Sequence, residues 1–360
     1  MGISMKKKQN LLIILLLVTC TFLSACGSGE SRVTATGEKI HAFSLNFSAS
    51  ASSDFAKQVV DPWIEYVEEK SEGRLKVHAY SGAALGTLNS GYVDIEASVY
   101  EAGFIIPGLH TDTDMFPLTI GDIPFLLRYP EIVPKVLGPF IEKYGEDISN
   151  DVTYLGVTST DSYQLFGQEP IKGIKDLKHQ KVSDSVAGRI ELLKTLHATP
   201  VSLANADLYE SLERGITDYA VYTGVGALGY KLDEVTKWMT KVDMAVSVMP
   251  FYINSAFVES LPKDLQELMI TDLGPKFNEL CTEMYAKMAT KNIGVFEEHV
   301  GANGGGVYVP TDEEIAQWKK PIKAQMDAWV KEANKRGYDG QEMMDYYVEL
   351  LEAEGVEVPK

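Results

Sequence analysis

Apolar and polar positions change period many times along this chain, and the changes predict alternating strands and helices. Residues 39–47, KIHAFSLNF, alternate with a period of two and predict a first strand, with the polar run 48–53 at its carboxyl end. Phe55, Val59, Trp63 and Val67 then trace a helix face, which Pro62 is expected to kink and Gly73 to stop. A strand over 74–80, a helical piece over 90–100, an apolar stretch at 102–106 and a strand over 154–160 follow.

The rest is organised around residues 171–222. A short strand at 181–183 leads into a helix from about Asp184, with Val186, Ile190, Leu193 and Leu196 on one face. Pro200 pushes Thr199 out of helical geometry, so that helix should end near Ala198. Asn205 is expected to cap a second helix with Leu208, Tyr209 and Leu212 on its apolar face, and Gly215 to end it. Residues 216–222 then read as a buried parallel strand, which completes a βαβ unit. In open α/β sheets ligands sit beyond the carboxyl ends of such strands and near helix N-termini, so this unit should form half of a small-molecule site. Later helices are predicted over 275–299, from Thr311 with Glu314 in a capping box, and from Asp339 with Glu342 three residues on.

The N-terminus has a different character. Lys6, Lys7 and Lys8 precede an apolar run of about fifteen residues that ends in Leu23-Ser24-Ala25-Cys26, too short for a comfortable membrane span. That ending resembles a bacterial lipobox, which implies a signal over residues 1–25, cleavage before Cys26, a lipid on its thiol and a tether over 26–38. Losing the three lysines takes the formal charge from −18 to −21, which argues against nucleic acid or an anionic membrane surface as partner. Cys20 leaves with the signal, so Cys281 stands alone, and neither a disulfide framework nor a cysteine metal site is available. About 320 residues remain, more than one core comfortably holds, so two lobes are expected.

Asp176-Leu177-Lys178, Lys181, Leu196, Pro200-Val201, Tyr209, Leu212, Gly215 and Asp218 stand at the spacing of a known family. With 81–86 (SGAALG), Pro107-Gly108, 116–118 (FPL), 123–126 (IPFL) and Asn254 before Leu261-Pro262, they resemble the solute receptors of TRAP transporters, the tripartite ATP-independent periplasmic systems. The resemblance spans roughly residues 39–329. It implies an α/β, two-lobed periplasmic-binding-protein fold with discontinuous lobes, 39–159 with 249–300 and 160–248 with 301–360, and a ligand cleft between them. It further implies capture of a small organic solute by lobe closure, delivery to membrane permease subunits, an extracytoplasmic lipid-anchored location, no cofactor and no catalysis. A lipid-anchored receptor feeding a sensor kinase is the alternative. Phe47, Ser48, Tyr163, Ser183, Arg189, Asn205, Tyr222 and Asn254 are the expected ligand contacts.

The departures from the family pattern bear on the ligand. The arginine that usually pairs with a substrate carboxylate falls on Ser183, the asparagine of the later motif on Tyr222, and a second arginine of some members near Tyr163. Hydroxyls are single donors where guanidinium is a planar fork, so either the ligand is not a simple carboxylate or another group holds it. Arg189 is one substitute. The other is the G-x-G-x-x-G of Gly224 to Gly229, read as a dinucleotide fingerprint, as a helix start that holds an anion, or as a plain turn. Asp161 and Asp184, with Tyr163 and Tyr222, suit a cationic ligand. His110, Asp112 and Asp114 offer metal-ligand types on what otherwise reads as a solvated loop. No HExxH, GxSxG or Walker spacing occurs, and nothing pairs a nucleophile with a base.

Overall fold

The computed structural model describes residues 33–145, 148 and 150–359, so the expected signal, Cys26 and the start of the tether lie outside the described residues. Among the described residues no helix is long and apolar enough to cross a membrane. The strands run β1 (His41–Asn46), β2 (Leu75–Tyr80), β3 (Ala102–Phe104), β4 (Val152–Ser159), β5 (Tyr163–Gly167), β6 (Lys181–Ser183), β7 (Thr199–Val201), β8 (Tyr219–Thr223), β9 (Trp238–Thr240), β10 (Val248–Asn254) and β11 (Gly306–Tyr308). They form two mixed sheets, in the orders β2-β1-β3-β10-β4 and β11-β9-β5-β8-β6-β7. The chain crosses between them from β4 to β5 and again from β9 to β10. The mixed α/β, two-sheet architecture is the two-lobed fold that the sequence predicts.

The principal helices are α1 (Asp61–Lys70), α2 (Val133–Tyr144), α3 (Ala187–Thr195), α4 (Leu208–Glu213), α5 (Gly224–Gly229), α6 (Gly274–Gly301), α7 (Asp312–Lys319), α8 (Ile322–Lys335) and α9 (Gly340–Ala353). Pro62 does not kink the first of these. It sits in the opening turn of α1, where its missing N–H costs nothing, and a π turn at Ala56–Val60 carries the helix into it. Helix α6 is about 42 Å long at 1.5 Å per residue and packs on β4 of one sheet and on α5 and β11 of the other, so it ties the two together.

The aromatic core of the first sheet is centred on Trp63, whose ring lies 4.7 Å from that of Phe277 and whose Nε1 donates to the Leu273 carbonyl at 2.7 Å. Cys281 is buried in the same core, and burial pushes its thiol well up. The C-terminal helices pack on the turn Phe116–Asp122, on α2 and on α3. Trp329 stacks on Phe116 at 5.6 Å and donates to Thr119 Oγ1 at 2.9 Å.

In the βαβ unit, β6 runs parallel to both β7 and β8. Helix α3 stops at Thr195, short of the expected Ala198, because His197 turns left-handed at φ 65° and Ala198 N–H bonds back to Leu193. Pro200 then lies in β7, an edge strand, where its absent donor is tolerated. Asn205 does not cap α4. It begins a 3-10 turn, Asn205–Asp207, and makes no capping bond. The strand predicted from Ile216 begins only at Tyr219, since Ile216 and Thr217 N–H both bond to the Ser211 carbonyl behind the left-handed Gly215.

Candidate ligand site

Tyr163 opens β5 immediately after the first crossing between the sheets, and the site is built around its ring. Arg189, in the first turn of α3, lays its guanidinium over that ring, 3.7 Å from the centroid. Asp184, in the lead from β6 into α3, holds the guanidinium: Nε donates to Oδ2 at 2.7 Å and Nη2 to Oδ1 at 3.0 Å. The Ser185 and Val186 N–H groups also donate to that Oδ1, so the carboxylate is satisfied on several sides. Both residues are buried, and bidentate charge-assisted pairs of this kind are the strong ones. Among the described residues Arg189 Nη1 nevertheless has no hydrogen-bond partner.

Ser247 Oγ donates to the Tyr163 hydroxyl at 2.9 Å and fixes the phenol's far end. Tyr222, near the end of β8, meets the Tyr163 ring edge-on at 6.1 Å and 81°. It fits there because α5 carries glycine at 226, where a Cβ would lie 2.3 Å from the Tyr222 ring. Tyr285 of α6 is near enough to Asp161 and Tyr163 for their charges to add to the upward push that burial gives its hydroxyl.

Two further carboxylates complete the cluster. Asp122 ends the turn Phe116–Asp122 and packs against the start of α3: a Cβ on Gly188 would meet its carbonyl oxygen at 2.5 Å, and one on Gly108 its Oδ2 at 2.6 Å. Among the described residues neither carboxylate oxygen closes a hydrogen bond. Burial raises this carboxyl to about 7 against the opposing pull of Arg189. Asp161 lies between β4 and β5. Its Oδ2 accepts the Val225 N–H at 3.0 Å, while its Oδ1 has no partner. Burial again dominates and lifts the carboxyl to about 7, despite backbone and Thr223 donors that favour the charged form. Ser183 Oγ, at the end of β6, is also buried without a partner. A cavity of about 140 Å³ opens beside Asp161, with Tyr129, Gln164, Lys241, Asp243 and Ala289 among its walls.

Of the expected contacts, Tyr163, Arg189 and Tyr222 come together here, and Ser183 lies at the strand end that leads to Asp184. The others are placed differently. Phe47 packs into the first core, 5.7 Å from Phe55, and Ser48 is exposed. Asn205 is half-buried on its 3-10 turn. Asn254 is spent on the backbone: its Oδ1 accepts the Phe257 N–H at 3.0 Å and its Nδ2 donates to the Ile95 carbonyl at 2.9 Å, which caps the helix Ser255–Glu259.

The glycine motif forms α5 itself, and no open phosphate loop results. Its leading donors are taken, Val225 N–H by Asp161 and Gly226 N–H by Thr223 Oγ1, so the anion at this helix start is a residue of the chain. His110 bonds to the Leu88 carbonyl and Asp112 pairs with Arg336, and among the described residues no metal-binding group forms. Asp122 and Tyr285 escaped the sequence reading: the first is one acid in an apolar run, the second shares a helix face with Cys281 and Met288 and reads as core.

The profile of DctP, bacterial extracellular solute-binding protein, family 7, matches residues 46–333. A solute-binding protein of Albidiferax ferrireducens is 22% identical over 275 residues, which cover 74% of this chain and 78% of that one. Among solved structures, a marine metagenome TRAP solute-binding protein specific for aromatic acid ligands, complexed with 3-hydroxybenzoate, has a TM-score of 0.78 at 21% identity, covering 87% of this chain and 98% of its own. A TRAP solute-binding protein from Rhodoferax ferrireducens, complexed with benzoate, has a TM-score of 0.75 at 18% identity over 87% and 98%. Fold, profile and relatives agree, and the chain belongs to the bacterial extracellular solute-binding proteins of family 7.

Proposed function

We propose that this chain is the extracytoplasmic receptor of a TRAP-type secondary transporter. It takes up a small organic solute between two lobes, 39–159 with 249–300 and 160–248 with 301–360, and closes on it. The closed form docks on membrane permease subunits, and a lipid on Cys26 keeps the receptor beside them. Capture needs no catalytic step, in keeping with relatives named as solute-binding proteins.

One observation supports this reading most strongly. Among the described residues Arg189 Nη1, Ser183 Oγ, both Asp122 oxygens and Asp161 Oδ1 are buried without partners. Each such atom costs about 1–3 kcal/mol, and a group of them in one place is what a binding site holds when its ligand is absent. Ligand binding then completes their bonds and favours the closed arrangement by its differential affinity for it. With Ser183 at the position of the family's arginine, either the solute is not a simple carboxylate or another group, Arg189 first, holds it.

Thermal-shift screening of residues 28–360 against carboxylates, sulfonates, phosphates, amines, amino acids and sugars tests the reading. A solute at a hundred times its Kd adds about 2.7 kcal/mol, which should raise the Tm of a chain this size by a few degrees. Small-angle scattering on the best solute should show contraction. Stabilisation without contraction removes the closure step, and the absence of any stabilising solute removes the receptor.

A further inference from the structure

We infer that the captured solute carries a protonated amine, and that Asp161 takes its N–H groups at the wall of the cavity beside α6. The inference rests on the receptor reading and narrows it to a ligand class.

Charge sets the sign. Among the described residues the cluster holds one cation, Arg189, against the three carboxyls of Asp184, Asp122 and Asp161, and Asp184 already occupies the Nε and Nη2 edge of the guanidinium. An acidic solute would add negative charge to a site whose cation is already paired with Asp184 along one edge, whereas an ammonium offsets part of the charge already there. The cavity repeats the imbalance, since Glu131, Asp161 and Asp243 line it and its one lysine, Lys241, is paired with Asp243.

Hydrogen bonding then locates the amine. Asp161 is 2% exposed and its Oδ1 has no donor, although Oδ2 is bonded to Val225 N–H. Missing there is an N–H, which an ammonium brings and a carboxylate does not. Ala286 and Ala289 on α6 leave the space, about 140 Å³, enough for a small amine. Tyr222 and Tyr285, both half-buried, approach Asp161 closely enough to feel its charge.

Calorimetry and thermal shift on the whole mature chain, with ethanolamine, putrescine and histamine against benzoate, 3-hydroxybenzoate and pyroglutamate, decide the matter. The expected result is stabilisation by at least one amine and by none of the acids, with affinity cut at least tenfold in Asp161→Asn. Ala289→Leu, which fills the cavity and leaves the carboxylate in place, should cut it comparably and serves alone if Asp161→Asn does not fold. Amine binding that survives both substitutions overturns the assignment to Asp161. Stabilisation by the acids alone overturns the amine and leaves the receptor standing. No response to any of the six, nor to the wider solute screen, overturns both.

Discussion

Arg189 and Asp184 form a two-bond ion pair five residues apart, at 2.7 and 3.0 Å, with side chains 3% and 1% exposed. The pair locks α3 to the strand end before it and sets the Arg189 guanidinium over the Tyr163 ring. Such a pair contributes little net stability compared with apolar groups of the same shape, but breaking it leaves a buried charge uncompensated. Asp184→Ala should therefore cost about 3–5 kcal/mol in urea unfolding, and Asp184→Leu with Arg189→Met should recover most of that. A double substitution no better than the single one would show that the pair itself holds the lobe together.

Asp122 and Asp161 make the unliganded protein sensitive to pH. Each carboxyl is raised to about 7 in the folded state, above its ordinary value of 3.8, so the folded chain binds these protons more tightly than the unfolded chain does. Stability from these two groups is then full below about pH 4 and is lost as pH rises towards 7. Asp122→Asn and Asp161→Asn, which cannot ionise, should each gain roughly 2–4 kcal/mol over the parent at pH 8, and the gain should shrink by pH 5. Unfolding curves at the two pH values check it; a gain that does not change with pH means that the carboxyls are already ionised in the folded protein across that range, as they are in the unfolded chain.

Gly226 sets the position of Tyr222. A Cβ there would lie 2.3 Å from the ring and 2.9 Å from Thr223 Oγ1, the cap of α5. Gly226→Val should lower stability by about 1–3 kcal/mol through overpacking and should weaken solute binding by displacing the ring. A Tm close to the parent's would show that the ring has room to move aside.

Asn254 gives the opposite kind of test. Its bonds to Phe257 N–H and to the Ile95 carbonyl make it a helix cap that also ties the helix to residues 95–96. Asn254→Ala should cost about 1–2 kcal/mol of stability, and the intrinsic solute affinity of the folded protein should stay as it was. Lost affinity at full folding would return Asn254 to the site.

The elements were legible where local chemistry decides them. Residues 181–183 form the strand their pattern predicts, Thr311 with Glu314 closes its capping box, Asp339 caps α9, and Gly73 and Gly215 take the left-handed turns for which a glycine is suited. Part of the candidate site was not legible, because its residues come together only through what packs on them. Arg189 was among the expected contacts although its spacing equally suits an exposed helical arginine, and it is buried because Asp184 and Tyr163 both reach it. Asp122 looks like a loop acid, and only the packing of α3 at Gly188 removes it from water. Asn254, by contrast, matched a family position and is taken up by the backbone. A motif's spacing records the fold more faithfully than it records which of its side chains stays free.

Ser183 is where the ligand class can be changed. Its Oγ is buried and unpaired at the end of β6, one residue before Asp184. Ser183→Arg introduces a second guanidinium beside Asp184, and the planar fork can bond a substrate carboxylate in two places where the hydroxyl offers one donor. The added cation takes up part of the negative charge that favours an amine, so amine affinity should fall at least tenfold and benzoate or a similar acid should become a measurable ligand. The larger side chain should also cost about 1–3 kcal/mol of stability from overpacking, so both affinities must be measured on folded protein by calorimetry. An unchanged ligand profile in a folded Ser183→Arg protein would place Ser183 outside the site and remove its part in choosing the solute.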